Sequence, residues 1–130
     1  MPVLDTSFLV DILRGREEAA LLLEELEGRG AHLATTPITV LELYRGAFLS
    51  AEPEKNMAAA KKILDSLLVL PLDDDAATVF GALSARLQSE GKRIGDFDEV
   101  IAAIALVRDR EIVTRDLRFR EVAGLVVVGW

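Results

Sequence analysis

The chain has 130 residues, enough for one domain with its own core, and its 51% hydrophobic and 28% charged residues give a globular balance, with no apolar run near the ~20 residues of a membrane span. It has no cysteine and one histidine, His32, which excludes disulfides, thiolate metal sites and sites built from several imidazoles, so any metal must be held by oxygen. A formal net charge of −7 opposes bulk adhesion to nucleic acid and leaves room only for a local patch. The chain shows no basic opening followed by an apolar stretch, and a charged residue arrives at Asp5, so no secretion signal is expected and the cytoplasm is the default.

Val3 and Leu4 read as a short strand, followed by a cap at Asp5 and a helix carrying Phe8, Leu9, Ile12 and Leu13 up to Gly15. Glu17 to Glu27 is a second helix with Leu21, Leu22 and Leu26 on one stripe, and His32 to Thr35 a second strand. His32, a lone imidazole at a strand edge, is structural or incidental. Thr36 as N-cap and Pro37 in the first turn open a helix to about Leu49. On it Glu42 falls at the border of the apolar stripe, where a lone carboxylate needs a partner, either Arg45 one turn on or a shared site. Pro53 to Leu68 is helical, Val69 to Leu72 a strand end, and Asp73, Asp74 and Asp75 a solvated capping turn before a helix from Ala76 to about Glu90.

The stretch from Gly95 to Arg108 has carboxylates at Asp96, Asp98 and Glu99 and nothing polar from Val100 to Val107. A helix apolar all round is buried, so its acidic start is carried into the core or into a cleft leading there. Asp98 falls above Ala102 and Ala105, which let another backbone approach closely. Glu111 to Thr114 then forms a strand, with Asp116 after it in the relation that Asp5 bears to the first strand. A turn of helix through Leu117, Phe119 and Val122 and a final strand Leu125 to Val128 complete the chain. The alternation favours a parallel sheet covered by helices on both faces.

Asp5 and Asp116 follow strands at the edge where such sheets bind ligands, Asp98 begins a buried helix, and Glu42 borders an apolar stripe. Capping or pairing explains each alone, but together they point to one shared site. Its hard oxygen donors select Mg²⁺ or Mn²⁺, and such a site suits phosphodiester hydrolysis. Lys92, Arg93, Arg115 and Arg118 flank the acids and could hold a polyanion, or be ordinary surface charge.

The chain resembles PIN-domain ribonucleases of the VapC toxin type. The resemblance rests on Val3-Leu4-Asp5-Thr6-Ser7, on Pro37 to Leu43 with Glu42 and Gly46, on Ile94 to Ala103 around Asp98, and on Val113-Thr114-Arg115-Asp116 with Phe119 and Gly124-Leu125. It spans essentially the whole chain, residues 1–130 as a single domain. It implies a three-layer α/β/α sandwich with a central, mainly parallel sheet, and an acidic quartet of Asp5, Glu42, Asp98 and Asp116. Thr6 and Thr114 would be supporting hydroxyls, with Asp96 outside the quartet. It further implies Mg²⁺- or Mn²⁺-dependent endonucleolytic cleavage of RNA, a homodimer, and inhibition by a small cognate antitoxin of the VapB type. Two other readings are a catalytically silent PIN-like interaction module and a phospho-receiver signalling domain. The latter wants an acidic pair after the first strand and a lysine after the last, and the sequence has neither.

Overall fold

A computed structural model of the protein describes residues 1–30 and 32–130. Five short parallel strands form one sheet: β1 (Val3–Leu4), β2 (Ala34–Thr35), β3 (Leu68–Val69), β4 (Glu111–Val113) and β5 (Val126–Val128). Their spatial order is β3-β2-β1-β4-β5, and every neighbouring pair runs parallel. The chain therefore lays strands outward from β1 on one side, then returns and lays β4 and β5 on the other. The order reverses between β1 and β4, and the crevice at the carboxyl ends of those two strands is where such sheets take ligands.

The pleat sorts the core. Val3, Ala34 and Ile112 face one layer, made by α5 (Asp74–Ser89), α6 (Asp96–Val107) and a 3-10 turn at Leu117–Glu121, where they meet Ala76, Leu87, Ile101, Ile104 and Phe119. Leu4 and Val113 face the other layer, with Phe8 and Leu9 of α1 (Thr6–Leu13), Leu26 of α2 (Glu17–Gly28), Leu43 of α3 (Pro37–Leu49) and Leu64 of α4 (Pro53–Asp65). The architecture is the expected α/β/α sandwich, with a sheet that is parallel throughout rather than mainly so. No helix among the described residues is long and apolar enough to cross a membrane.

Local signals set several boundaries. Thr36 caps α3 by accepting the Thr39 N–H at 3.2 Å, with Pro37 in the first turn. Asp73 caps α5 through the Ala76 N–H at 3.0 Å, while Asp74 and Asp75 lie in the first turn and point to solvent, as a capping turn requires. The helix expected over Pro53 to Leu68 ends earlier, at Asp65, and the strand comes at Leu68–Val69 rather than Val69 to Leu72. Pairing overrides the helical periodicity here: the N–H groups of Leu68 and Leu70 donate to the carbonyls of Leu33 and Thr35 at 3.0 and 2.9 Å. Leu68, expected inward on the helix, is consequently half-exposed on the sheet edge. The second strand is shorter than expected, and His32 lies exposed outside it.

Asp73→Ala should lower stability by about 1 kcal/mol through loss of the cap, whereas Asp75→Ala should stay within about 0.5 kcal/mol. Urea unfolding of both variants measures the difference, and equal losses would show that the cap contributes nothing.

Candidate active site

Asp5 leaves the end of β1 in the N-cap position of α1, but its side chain makes no capping bond. Its backbone N–H instead donates to the Val113 carbonyl at 3.0 Å, extending the β1–β4 pairing by one rung. Its carboxylate turns into the crevice and accepts the Thr114 hydroxyl at 2.6 Å, with Ser7 Oγ at 3.4 Å. The residue is only 5% exposed. Burial raises its carboxyl above the ordinary value, with Glu42 adding repulsion against the bonds from Thr114, the Thr6 N–H and Ser7.

Glu42 reaches the same region from α3. Its Oε1 accepts the Thr6 hydroxyl at 2.6 Å, and Thr6 in turn lies 3.2 Å from the hydroxyl of Thr39. The partner of Glu42 is thus a neutral hydroxyl on α1, and among the described residues Arg45 forms no ion pair.

Asp98 and Glu99 are adjacent in the first turn of α6 and meet opposite environments. Gly95 precedes the helix at φ +107°, a conformation that side-chain-bearing residues rarely adopt. Glu99, fully buried, fastens that turn: it accepts the Ile94 N–H at 3.0 Å, the Gly95 N–H at 3.2 Å and Arg93 Nη2 at 2.9 Å. Burial opposes its ionisation, but the bonds from Arg93, Ser84 and the two backbone amides outweigh it and hold the carboxyl below its usual value. Asp96 is exposed and pairs with Arg93. Asp98 is turned toward the crevice with its side chain 25% exposed, and its carboxyl is pushed up to about 6. Burial is the main cause; Asp5 adds repulsion, Arg118 opposes, and Asp116 and Glu42 add more.

Asp116 follows β4 and caps the 3-10 turn, accepting the Arg118 N–H at 3.0 Å. Arg118 doubles back over it, with Nε 3.0 and 3.1 Å from the two carboxylate oxygens, and extends Nη2 to Asp98 Oδ2 at 3.0 Å. These contacts lower the Asp116 carboxyl below its ordinary value.

Asp5, Glu42, Asp98 and Asp116 are thus drawn to one crevice from four separate segments, and Asp98 is electrostatically coupled to the other three. As placed, no three acidic or histidine side chains among the described residues stand close enough to enclose a metal ion, and the guanidinium of Arg118 lies between two of the four. The donor set nevertheless fits a hard divalent cation. It offers carboxylate oxygens alone, two carboxyls are raised by burial and mutual repulsion, and the site already holds a cationic group between Asp98 and Asp116.

The four cations that the sequence singles out beside these acids, Lys92, Arg93, Arg115 and Arg118, are engaged within the chain. Lys92 pairs with Glu121 at 3.5 Å, Arg93 with Glu99 and Asp96, and Arg115 with the buried Asp11 at 3.0 Å. Asp11 also accepts the Trp130 indole N–H at 3.0 Å. Sequence reasoning missed the structural roles of Glu99 and Asp11. The available signals were an arginine six residues before Glu99, and the position of Asp11 one turn after Ser7 on a helix whose other side is apolar.

A wholly parallel α/β domain with carboxylates turned toward the crevice where its strand order reverses is the class of protein that the fold defines. The chain belongs to the PIN-domain family, whose model matches residues 3–125. It is 34% identical over 118 residues to ribonuclease VapC19 of Mycobacterium tuberculosis, spanning 91% of this chain and 90% of that protein. Its fold is similar to VapBC2 from Rickettsia felis, solved bound to a DNA fragment from their promoter, with TM-score 0.89, 25% identity, and coverage of 98% and 97% of the two chains. It is also similar to VapBC-5 of Mycobacterium tuberculosis, a member of the VapBC family of toxin–antitoxin systems, with TM-score 0.74, 30% identity, and coverage of 98% and 95%.

The Asp98 carboxyl binds its proton more tightly in the folded chain, at about 6 against an ordinary 3.8, so its contribution to stability falls as pH rises through that window and stays low above it. In metal-free protein at about pH 7.5, Asp98→Asn should therefore raise stability by about 1–2 kcal/mol, allowing for its quarter exposure and the lost contact to Arg118. The gain should largely vanish near pH 4. Denaturant titrations at both pH values measure it, and a variant less stable than the native chain at pH 7.5 would contradict the repulsion described here.

Proposed function

We propose that this chain is an endoribonuclease that hydrolyses RNA phosphodiester bonds with Mg²⁺ or Mn²⁺ held by Asp5, Glu42, Asp98 and Asp116, and that it is the toxin of a cytoplasmic toxin–antitoxin pair. The observation that carries this reading is the approach of four carboxylates to the reversal point of the sheet, two of them destabilised chiefly by burial, with neighbouring acids adding repulsion. Ribonuclease VapC19, similar over nine-tenths of the chain, supports the substrate class.

A bound divalent ion supplies Lewis acidity toward the scissile phosphate and lowers the pKa of a water nucleophile. The chain's own residues prepare for it. Thr114 fixes the direction of the Asp5 carboxylate and Thr6 that of Glu42, so neither must be ordered when the site fills. Glu99 anchors the turn from which Asp98 projects. The apolar cleft beginning at Glu42 and continuing along Val10, Leu13, Leu43 and Ala47 offers a small antitoxin a surface beside the acids. Similarity to a VapBC toxin–antitoxin structure supports such a partner, and the resemblance to VapC proteins supports a homodimer.

Purified protein given total cellular RNA with Mn²⁺ or Mg²⁺ should produce discrete cuts that chelation abolishes and that Asp98→Asn reduces at least about a hundredfold. Millimolar metal should also raise the melting temperature of the native chain, since the ion binds only the folded state. Cleavage unchanged by Asp98→Asn would refute the site. Metal binding with no cleavage of any RNA would turn the reading toward a silent interaction module.

A further inference from the structure

Arg118 stands apart from the other cations around the crevice. Its side chain is 58% exposed, free enough to leave, yet all three guanidinium nitrogens are engaged. Nε lies 3.0 and 3.1 Å from the two oxygens of Asp116, Nη2 contacts Asp116 Oδ2 at 2.5 Å and Asp98 Oδ2 at 3.0 Å, and Nη1 donates to the Ile94 carbonyl at 3.2 Å. The two carboxylates it bridges belong to different segments, one on α6 and one after β4, and lie 18 residues apart in sequence by their numbering. The other two acids of the crevice, Asp5 and Glu42, receive neutral donors among the described residues, hydroxyls on both and the Thr6 N–H on Asp5. Among the described residues Arg118 is therefore the cation paired with acids of the crevice, held on two of the four carboxylates that a divalent ion would use.

We propose that Arg118 is a resident counter-cation of the acidic crevice, which a divalent ion must displace from Asp98 and Asp116 in order to bind. This rests on the metal-dependent reading given above. Arginine is well suited to the task, because its planar fork matches a carboxylate while its long stem lets the head swing into solvent. It stays charged at every working pH. The consequence is a weakened apparent affinity: if the arginine-out form is the minor one, the observed dissociation constant exceeds the intrinsic one by the inverse of that form's population. Removing the guanidinium removes that handicap. A cation needed only to prop up the fold would have the opposite effect, since its loss would loosen the carboxylates and weaken metal binding.

The test is Mn²⁺ titration by calorimetry at about pH 8, where Asp98 is ionised, on the native chain, Arg118→Gln, Arg118→Lys and Asp98→Asn. Arg118→Gln should bind Mn²⁺ about tenfold more tightly than the native chain, with Arg118→Lys between them, since lysine keeps the charge but loses the fork. In the native chain, Mg²⁺ should shift the Arg118 Nε–H proton resonance out of its hydrogen-bonded position. Circular dichroism establishes that each variant is folded, and the resonance shift tests the displacement without any variant. Equal or weaker Mn²⁺ binding by Arg118→Gln, or an Nε–H resonance unmoved at saturating Mg²⁺, would overturn the proposal while leaving the nuclease site standing. Failure of the native chain and the Arg118 variants alike to bind Mn²⁺ would overturn both.

Discussion

The bond from Thr114 to Asp5 joins the ends of β1 and β4, segments 109 residues apart in sequence, and the acidic crevice depends on that junction. The two strands are neighbours only because the chain first builds outward to β3 and then crosses back through α5 and α6. The Asp5 N–H on the Val113 carbonyl carries the pairing one residue past β1 and sets the height at which the Asp5 side chain enters. Thr114 then aims it. A hydroxyl is suited to this position because it orders the carboxylate without neutralising it, so the negative charge remains available.

Along α6 the same chemistry is divided between neighbours. Asp98 and Glu99 differ by about 100° of helical rotation, and that turn decides their fates. Glu99 faces inward and collects enough donors to be held ionised in the core, where an unpaired charge would be costly. Asp98 faces the crevice, has among the described residues only Arg118 as a side-chain partner, and is pushed the other way chiefly by burial and then by Asp5, Asp116 and Glu42. The buried acid supplies the rigidity, and the crevice acid carries the electrostatic strain. Gly95 is needed just before the helix because the turn that leads into it demands φ +107°.

Much of this was legible in the chain. Paired segments such as Thr36-Pro37 announce a helix start through local chemistry alone, and the apolar run Val100 to Val107 announces burial, so α3 and α6 could be placed without tertiary information. The four acids could be singled out by position, after two strands, at a buried helix start and on an apolar border. The hidden features depend on partners distant in sequence. Leu68 continues a helical pattern and becomes strand only because Leu33 and Thr35 offer carbonyls. Asp11 is buried against Arg115 and Trp130, 104 and 119 residues away. Glu99 was readable as acidic but not as a core residue, because its periodicity does not reveal that Arg93 folds back onto it.

The placement of the cations bears on how a chain of net charge −7 could meet a polyanion. Lys92, Arg93, Arg115 and Arg118 are each paired with one of the chain's own carboxylates, so these four offer nucleic acid little uncompensated positive charge. Arg115 and Arg118 are nonetheless 60% and 58% exposed, so their heads can exchange a carboxylate for a phosphate without unfolding anything. Under the nuclease reading, RNA would gain these contacts only where its backbone competes with internal partners. Such exchange rewards a fitted substrate over a merely charged one, which is how an acidic protein can act on an acidic polymer.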